Sequence, residues 1–279
     1  MSYVSAQKID NSKFTFITPQ KQCFSFPLDV ISLMLENPSS SKALQKLYQT
    51  CKYFYSKKQI LVLSKAHFVR DASYGYAKPG AKLEIYCEGK KDFADLHNLL
   101  WFDNEIQLEY FHGNRLPSFY RCSIKELWLY KTSLYYDDFV LLAAEKHIRI
   151  LDIGRESEIC FSDDSTVNPV DLLPFMPNIT ELNCLPHQNY THENFEKLST
   201  IQLHSKLEDF RLSISSESSD FAKTFNRNHL LMFLNNNAKK DESTFIGFTA
   251  DDDKLQAVFD DVVKQWKAGI RKPNVCVTC

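Results

Sequence analysis

Ile124-Lys125-Glu126-Leu127-Trp128-Leu129 is followed, 24 residues on, by Ile148-Arg149-Ile150-Leu151-Asp152-Ile153. The same six-residue phrase returns as Ile179-Thr180-Glu181-Leu182-Asn183-Cys184 and Leu207-Glu208-Asp209-Phe210-Arg211-Leu212, at further intervals of 31 and 28 residues. A looser copy stands at Phe245-Ile246-Gly247-Phe248. Each phrase ends in the alternation of a half-buried strand, because strand side chains point to opposite faces with period two. Between phrases, segments such as Asp137 to Ala144 carry enough consecutive apolar residues for a short helix. One strand and one helix per unit is the expected local structure.

A period in this range with an LxxLxL core resembles the leucine-rich-repeat solenoid, in which each unit buries its apolar side only by stacking on its neighbours. The expected fold class is α/β: a curved leucine-rich-repeat-like solenoid with a parallel sheet over residues 66–268, after an N-terminal helical segment at 21–65 and before a tail at 269–279. Parallel neighbours need crossovers of about a dozen residues or more, and the intervals supply them. Leu127, Leu129, Leu151, Ile153, Leu182, Cys184, Phe210 and Leu212 are then expected in the core. The fifth residues, Trp128, Asp152, Asn183 and Arg211, are expected to form one row on the open face, ~4.8 Å from strand to strand. They are the candidate target-binding residues, since Trp and Arg dominate interface energetics. The competing reading of Trp128 is core, covered by a loop or by the N-terminal segment.

The composition, 44% hydrophobic and 24% charged over 279 residues, is that of a globular chain. With 33 basic against 35 acidic side chains, bulk charge favours neither nucleic acid nor an anionic membrane as partner. No run approaches the ~20 apolar residues of a membrane span and no leader pattern opens the chain, so a cytoplasmic or nuclear location is expected. Eight scattered cysteines read as reduced thiols. Asn178-Ile179-Thr180 and Asn189-Tyr190-Thr191 match a glycosylation acceptor by accident on this reading.

Seven dispersed glycines build no phosphate-cradling loop. His192-Glu193 lacks the second histidine of a helical zinc site, and His187 and His192 read as loop or helix-start residues. Asp251-Asp252-Asp253 suits a helix start. No nucleophile elbow appears, so no catalytic residue, metal or cofactor is assigned and the chain is read as a non-enzyme. Cys276 stands fourth from the end, where a prenylation box would place it, but Thr278 replaces the usual aliphatic residue, and the default is an ordinary tail.

The N-terminal segment carries a different signal. Phe26-Pro27-Leu28-Asp29-Val30-Ile31-Ser32-Leu33-Met34-Leu35 sets a proline and an acidic residue at a helix start, with apolar residues after them. Asn37-Pro38-Ser39-Ser40-Ser41 breaks the helix and starts another, with Leu44, Leu47, Tyr48, Cys51, Phe54 and Tyr55 on one face. This order resembles an F-box, the helical module that docks onto the Skp-type adaptor of cullin-RING ubiquitin ligases. With the repeats behind it, the chain resembles the divergent F-box-like proteins expanded in nematodes. The resemblance implies that Phe26, Pro27, Leu28, Val30, Ile31 and Leu35 bind the adaptor while the repeats bind an unknown target protein. It implies substrate recognition in a ubiquitin ligase, with no chemistry performed by this chain. The alternatives are a bare helical cap on an adaptor-independent repeat scaffold, or a ligand-sensing repeat protein.

Overall fold

The computed structural model describes residues 27–50, 52–70, 83–87, 99–111, 116, 118–215, 221–241 and 243–269. Three helices open it: α1 (Leu28–Glu36), α2 (Ser41–Thr50) and α3 (Lys52–Lys57). The Ser40 hydroxyl accepts from the Ala43 N–H at 3.1 Å, the capping bond expected of a serine at a helix start. The second amphipathic pattern is carried by α2 and α3, and the Thr50 hydroxyl donates to the Leu47 carbonyl at 2.7 Å.

The sheet begins with β1 (Ile60–Arg70), β2 (Leu83–Cys87), β3 (Leu99–Glu109) and the short β4 (Arg121–Cys122). The phrases follow as β5 (Glu126–Tyr130), β7 (Ile150–Ile153), β9 (Glu181–Asn189) and β10 (Asp209–Ser215), with β11 (Phe245–Ala250) after them. Among the described residues these form one nine-stranded sheet in the order β11-β10-β9-β7-β5-β3-β1-β2, with β4 beside β3. From β1 through β11 the neighbours are parallel, and β2 alone runs antiparallel, against β1. A two-stranded parallel pair, β6 (Ser133–Tyr135) and β8 (Glu158–Cys160), lies apart from it. The result is a mixed α/β molecule with a large, mostly parallel sheet.

The crossovers carry α4 (Tyr136–Ala143), α5 (Pro169–Leu172), α6 (His192–Thr200), α7 (Phe221–Thr224) and α8 (Arg227–Asn237), and α9 (Asp253–Ala268) follows the last strand. Their apolar residues, among them Phe139, Leu142, Phe195, Leu198, Phe233 and Phe259, enter the same core as the inward strand residues. All eight residues expected inside are 2% exposed or less, and burying each of the seven Leu, Ile and Phe side chains among them stabilises the fold by about 1.5–3 kcal/mol relative to exposure. The strands also share a repeated joint. The carbonyls of Lys125, Arg149 and Thr180, the second residues of three phrases, each accept two N–H groups from the phrase that follows. The supposed glycosylation residues serve the same stacking, Asn178 donating to the Lys146 carbonyl at 2.8 Å and Thr180 to that of Arg149 at 3.2 Å.

Four expectations are corrected. The boundary at 65/66 falls inside β1, which starts at Ile60 because the run Ile60–Leu63 needs a strand partner and finds it in Leu99–Phe102. The apolar pattern from Phe93 to Trp101 reads from the sequence as a helix, but Leu99, Leu100 and Trp101 belong to β3, while 93–98 lie outside the described residues. The looser copy is set two residues earlier than its quoted start, since Ile246 pairs with Phe210 and Phe248 with Leu212. The stretch from Phe221 to Leu234, which reads from the sequence as one helix, holds two, because the Asn226 side chain accepts from the Asn228 N–H at 3.1 Å and caps a new one.

Three buried thiols, Cys122, Cys160 and Cys184, sit free among the described residues. Burial pushes those of Cys122 and Cys184 up to about 12, so both are protonated and unreactive near neutral pH. Asp252 caps α9 by accepting from the Lys254 N–H at 2.7 Å, and the buried face of that helix is Leu255, Val258, Phe259, Val262 and Trp266. His192 opens α6 behind the capping residue Thr191, as a helix-start residue. The side chain of His187, Cys276 and the 270–279 part of the tail lie outside the described residues.

Candidate interaction surfaces

The parallel register sets Trp128 opposite Asp152, Asp152 opposite Asn183, and Asn183 opposite Arg211. The four residues form one row, which continues through Gln107 and His67 in one direction and to Gly247 in the other. Trp128, Asp152 and Asn183 are partly buried and Arg211 is exposed. The Asn183 amide donates to Asp152 Oδ2 at 2.9 Å, and the Trp128 indole N–H donates to Glu126 Oε2 at 3.4 Å. At the far end Arg211 grips Asp209 with two bonds of 2.9 and 2.7 Å, and its guanidinium lies 4.3 Å from the centre of the Phe245 ring. Gly247 permits this stack, because a Cβ there would come within 2.8 Å of the ring.

A second row lies one pleat away: Lys65, Glu105, Glu126, Ile150, Glu181, Asp209 and Phe245. Sequence reasoning passed over its carboxylates, although the rule that turns the fifth residue outward does the same for the third. Several of the charges on this face are answered. Lys65 meets Glu105 at 2.9 Å, His67 meets Glu109 at 3.0 Å, and Arg211 meets Asp209. Among the described residues, Glu126, Asp152 and Glu181 have no ion-pair partner of their own. Burial raises the Asp152 carboxyl above its ordinary value, opposed by the Asn183 amide and the charge of Arg211. Burial also raises Glu181, and the neighbouring Asp209, Glu208 and Glu126 push it the same way.

The N-terminal candidates divide. Pro27 is exposed and Val30 partly buried, whereas Ile31 and Leu35 are each only 3% exposed. These last two pack with Leu44, Phe54, Ile60 and Trp101, so they hold α1 to the body and are corrected from partner-contacting to core. Phe26 and the side chain of Leu28 lie outside the described residues. Sequence reasoning missed Leu33 and Met34, which are 61% and 39% exposed on the same helix. Two polar ties reinforce the seat of these helices: the Tyr120 hydroxyl donates to the Glu36 carbonyl, and Arg121 donates to the Pro38 carbonyl at 3.0 Å. Arg121 also lies 4.6 Å from the Trp101 ring centre and grips Glu145.

No protein-family model, curated protein or solved structure matches the chain. Its surfaces are therefore read from their own chemistry. A concavity of about 690 Å³ is lined by polar residues including Glu158, Thr166, Gln188 and Ser215. Its Glu158 is already held by the hydroxyls of Ser133 and Thr166, each at 3.1 Å. No three His, Cys, Asp or Glu side chains among the described residues are placed to hold a metal, and no helix there is long and apolar enough to cross a membrane. Two surfaces among the described residues carry the sequence-predicted candidates, the outer side of α1 and the open face of the sheet.

Proposed function

We propose that the protein is an F-box-like substrate-recognition subunit of a cullin-RING ubiquitin ligase, with α1 and its neighbours docking a Skp-type adaptor and a leucine-rich-repeat-like solenoid presenting a target protein on its open face. The observation that carries the reading is the exposure of Leu33 and Met34, beside the polar Asp29, Ser32 and Glu36, on a helix that Ile31 and Leu35 fix in the core. A helix seated on one apolar side and showing another has the make-up of a docking element. Its outer side would meet the adaptor together with Pro27, Leu28 and Val30, with Phe26 just ahead of them. No reaction is required of the chain itself.

Co-expression with a Skp-type adaptor tests this directly. The pair is expected to co-purify, and the double variant Leu33→Ser/Met34→Ser is expected to lose the adaptor while keeping its thermal melt. A second reading, an adaptor-independent scaffold whose helices serve as a cap, is favoured by the sharing of Ile60 and Trp101 between the helices and the first strands. Absence of the adaptor from the purified wild-type protein would select it.

A further inference from the structure

Among the described residues, the charged groups of the open face that have no ion-pair partner are all carboxylates. Glu126 and Asp152 sit on adjacent strands, as do Asp152 and Glu181, at ~4.8 Å strand spacing. The cations that flank them are already engaged, Lys65 with Glu105 and Arg211 with Asp209. The buried Asn183 Oδ1 likewise has no donor. Beside these acceptors stands the Trp128 ring, its N–H turned to Glu126, and aromatic faces attract cations.

Taking this face as the target surface of the proposed receptor, we propose that its occupant is a basic segment of the target protein, seating an arginine or lysine over Asp152 between Glu126 and Glu181, alongside Trp128. Charge complementarity selects the occupant. A phosphate backbone or an anionic membrane would meet three carboxylates without a cation of their own, and so would the same face of a second copy. A cationic side chain supplies what the face lacks, and an arginine adds a planar fork suited to carboxylates and able to stack on the indole. Phe245, 49% exposed under Arg211, extends the face with an apolar neighbour for the rest of the segment.

The test uses the full chain and two labelled peptides of equal length, one alternating arginine with serine and one alternating glutamate with serine, followed by fluorescence anisotropy. The arginine peptide is expected to bind, to weaken as salt is raised, and to lose about tenfold or more in affinity to Asp152→Asn/Glu181→Gln, each tenfold being about 1.4 kcal/mol. Trp128→Ala is expected to weaken it several-fold. The control Glu193→Gln/Glu196→Gln, which removes two exposed charges from α6, is expected to leave it unchanged. The proposal is overturned if the arginine peptide does not bind, if the glutamate peptide binds as well, or if the control loses as much as the face variant. Adaptor co-purification is scored on the same proteins. Loss of the peptide result with the adaptor retained removes only this inference, and loss of the adaptor with peptide binding intact removes only the ligase reading.

Discussion

Among the described residues, the outer side of α1 and the open face of the sheet are both at least partly open, and they differ in chemistry. On α1 two large apolar side chains, Leu33 and Met34, are exposed among Asp29, Ser32 and Glu36. On the sheet the outward residues are mostly charged and, Arg211 and Phe245 apart, partly buried, with Trp128, Ile150 and Phe245 set among Glu126, Asp152, Glu181, Asp209 and Arg211. An apolar helix side gains from any partner that removes it from water, so it suits a constant and tight attachment. A face of carboxylates gains only from a partner of matching charge, so it suits selection. One body with both kinds of surface can hold one protein while discriminating among others.

The comparison is sharpest against the core that both surfaces share. Phe210 is fully buried, its ring 5.2 Å from that of Phe233 and 5.9 Å from that of Phe248. Phe210→Ala is expected to cost about 3–5 kcal/mol in chemical denaturation and to weaken binding at both surfaces together. Leu33→Ser is expected to change stability by less than ~1 kcal/mol, because its side chain already meets water. A loss comparable to that of Phe210→Ala would mean that α1 is core on both sides, and the contrast between the two open surfaces would vanish. Trp128→Ala, on a partly buried ring, is expected to cost about 1 kcal/mol or less in stability while weakening only ligands of the sheet.

What could be read from the sequence follows the same division. The inward and outward rows of β5, β7, β9 and β10 were legible, because a period of two leaves no freedom once Leu127 or Leu151 is placed inside. The first strands were legible only in part, in the alternation of Leu83 to Tyr86 and of Glu105 to Glu109. A register shift between Leu63 and Lys65 breaks the alternation in β1. Trp101 faces the helices while Phe102 faces the main core, so Leu99 to Phe102 reads as an unbroken apolar run. In α1 the difficulty is an excess of signal. Leu28, Val30, Ile31, Leu33, Met34 and Leu35 are apolar around most of the helix, and only packing decides that Ile31 and Leu35 go in. The carboxylates of the third positions escaped notice because Ile150 interrupts them. The seat made by Arg121 and the Pro38 carbonyl joins residues 83 apart, a distance over which no local pattern speaks.

The smallest effect tests the electrostatics of the sheet alone. Burial holds the Asp152 carboxyl above its ordinary value, so the folded protein retains a proton there at pH values where the unfolded chain has released it. Stability is then lost as pH rises through the window between the ordinary and the raised value, and above that window the ionised carboxylate is a net cost. Asp152→Asn keeps an oxygen for the Asn183 amide and removes the charge. It is expected to raise Tm at neutral pH by about 1–2 °C, the scale of a ~0.5 kcal/mol surface change in a chain of this size. The gain should disappear at pH values below the ordinary carboxylate range, where the wild-type group is protonated in both states. Glu181→Gln is expected to act in the same direction, since burial and its acidic neighbours raise that group too. A fall in Tm at neutral pH for Asp152→Asn would show that the charge of Arg211 outweighs burial, and that Arg211 already serves Asp152 as its cation.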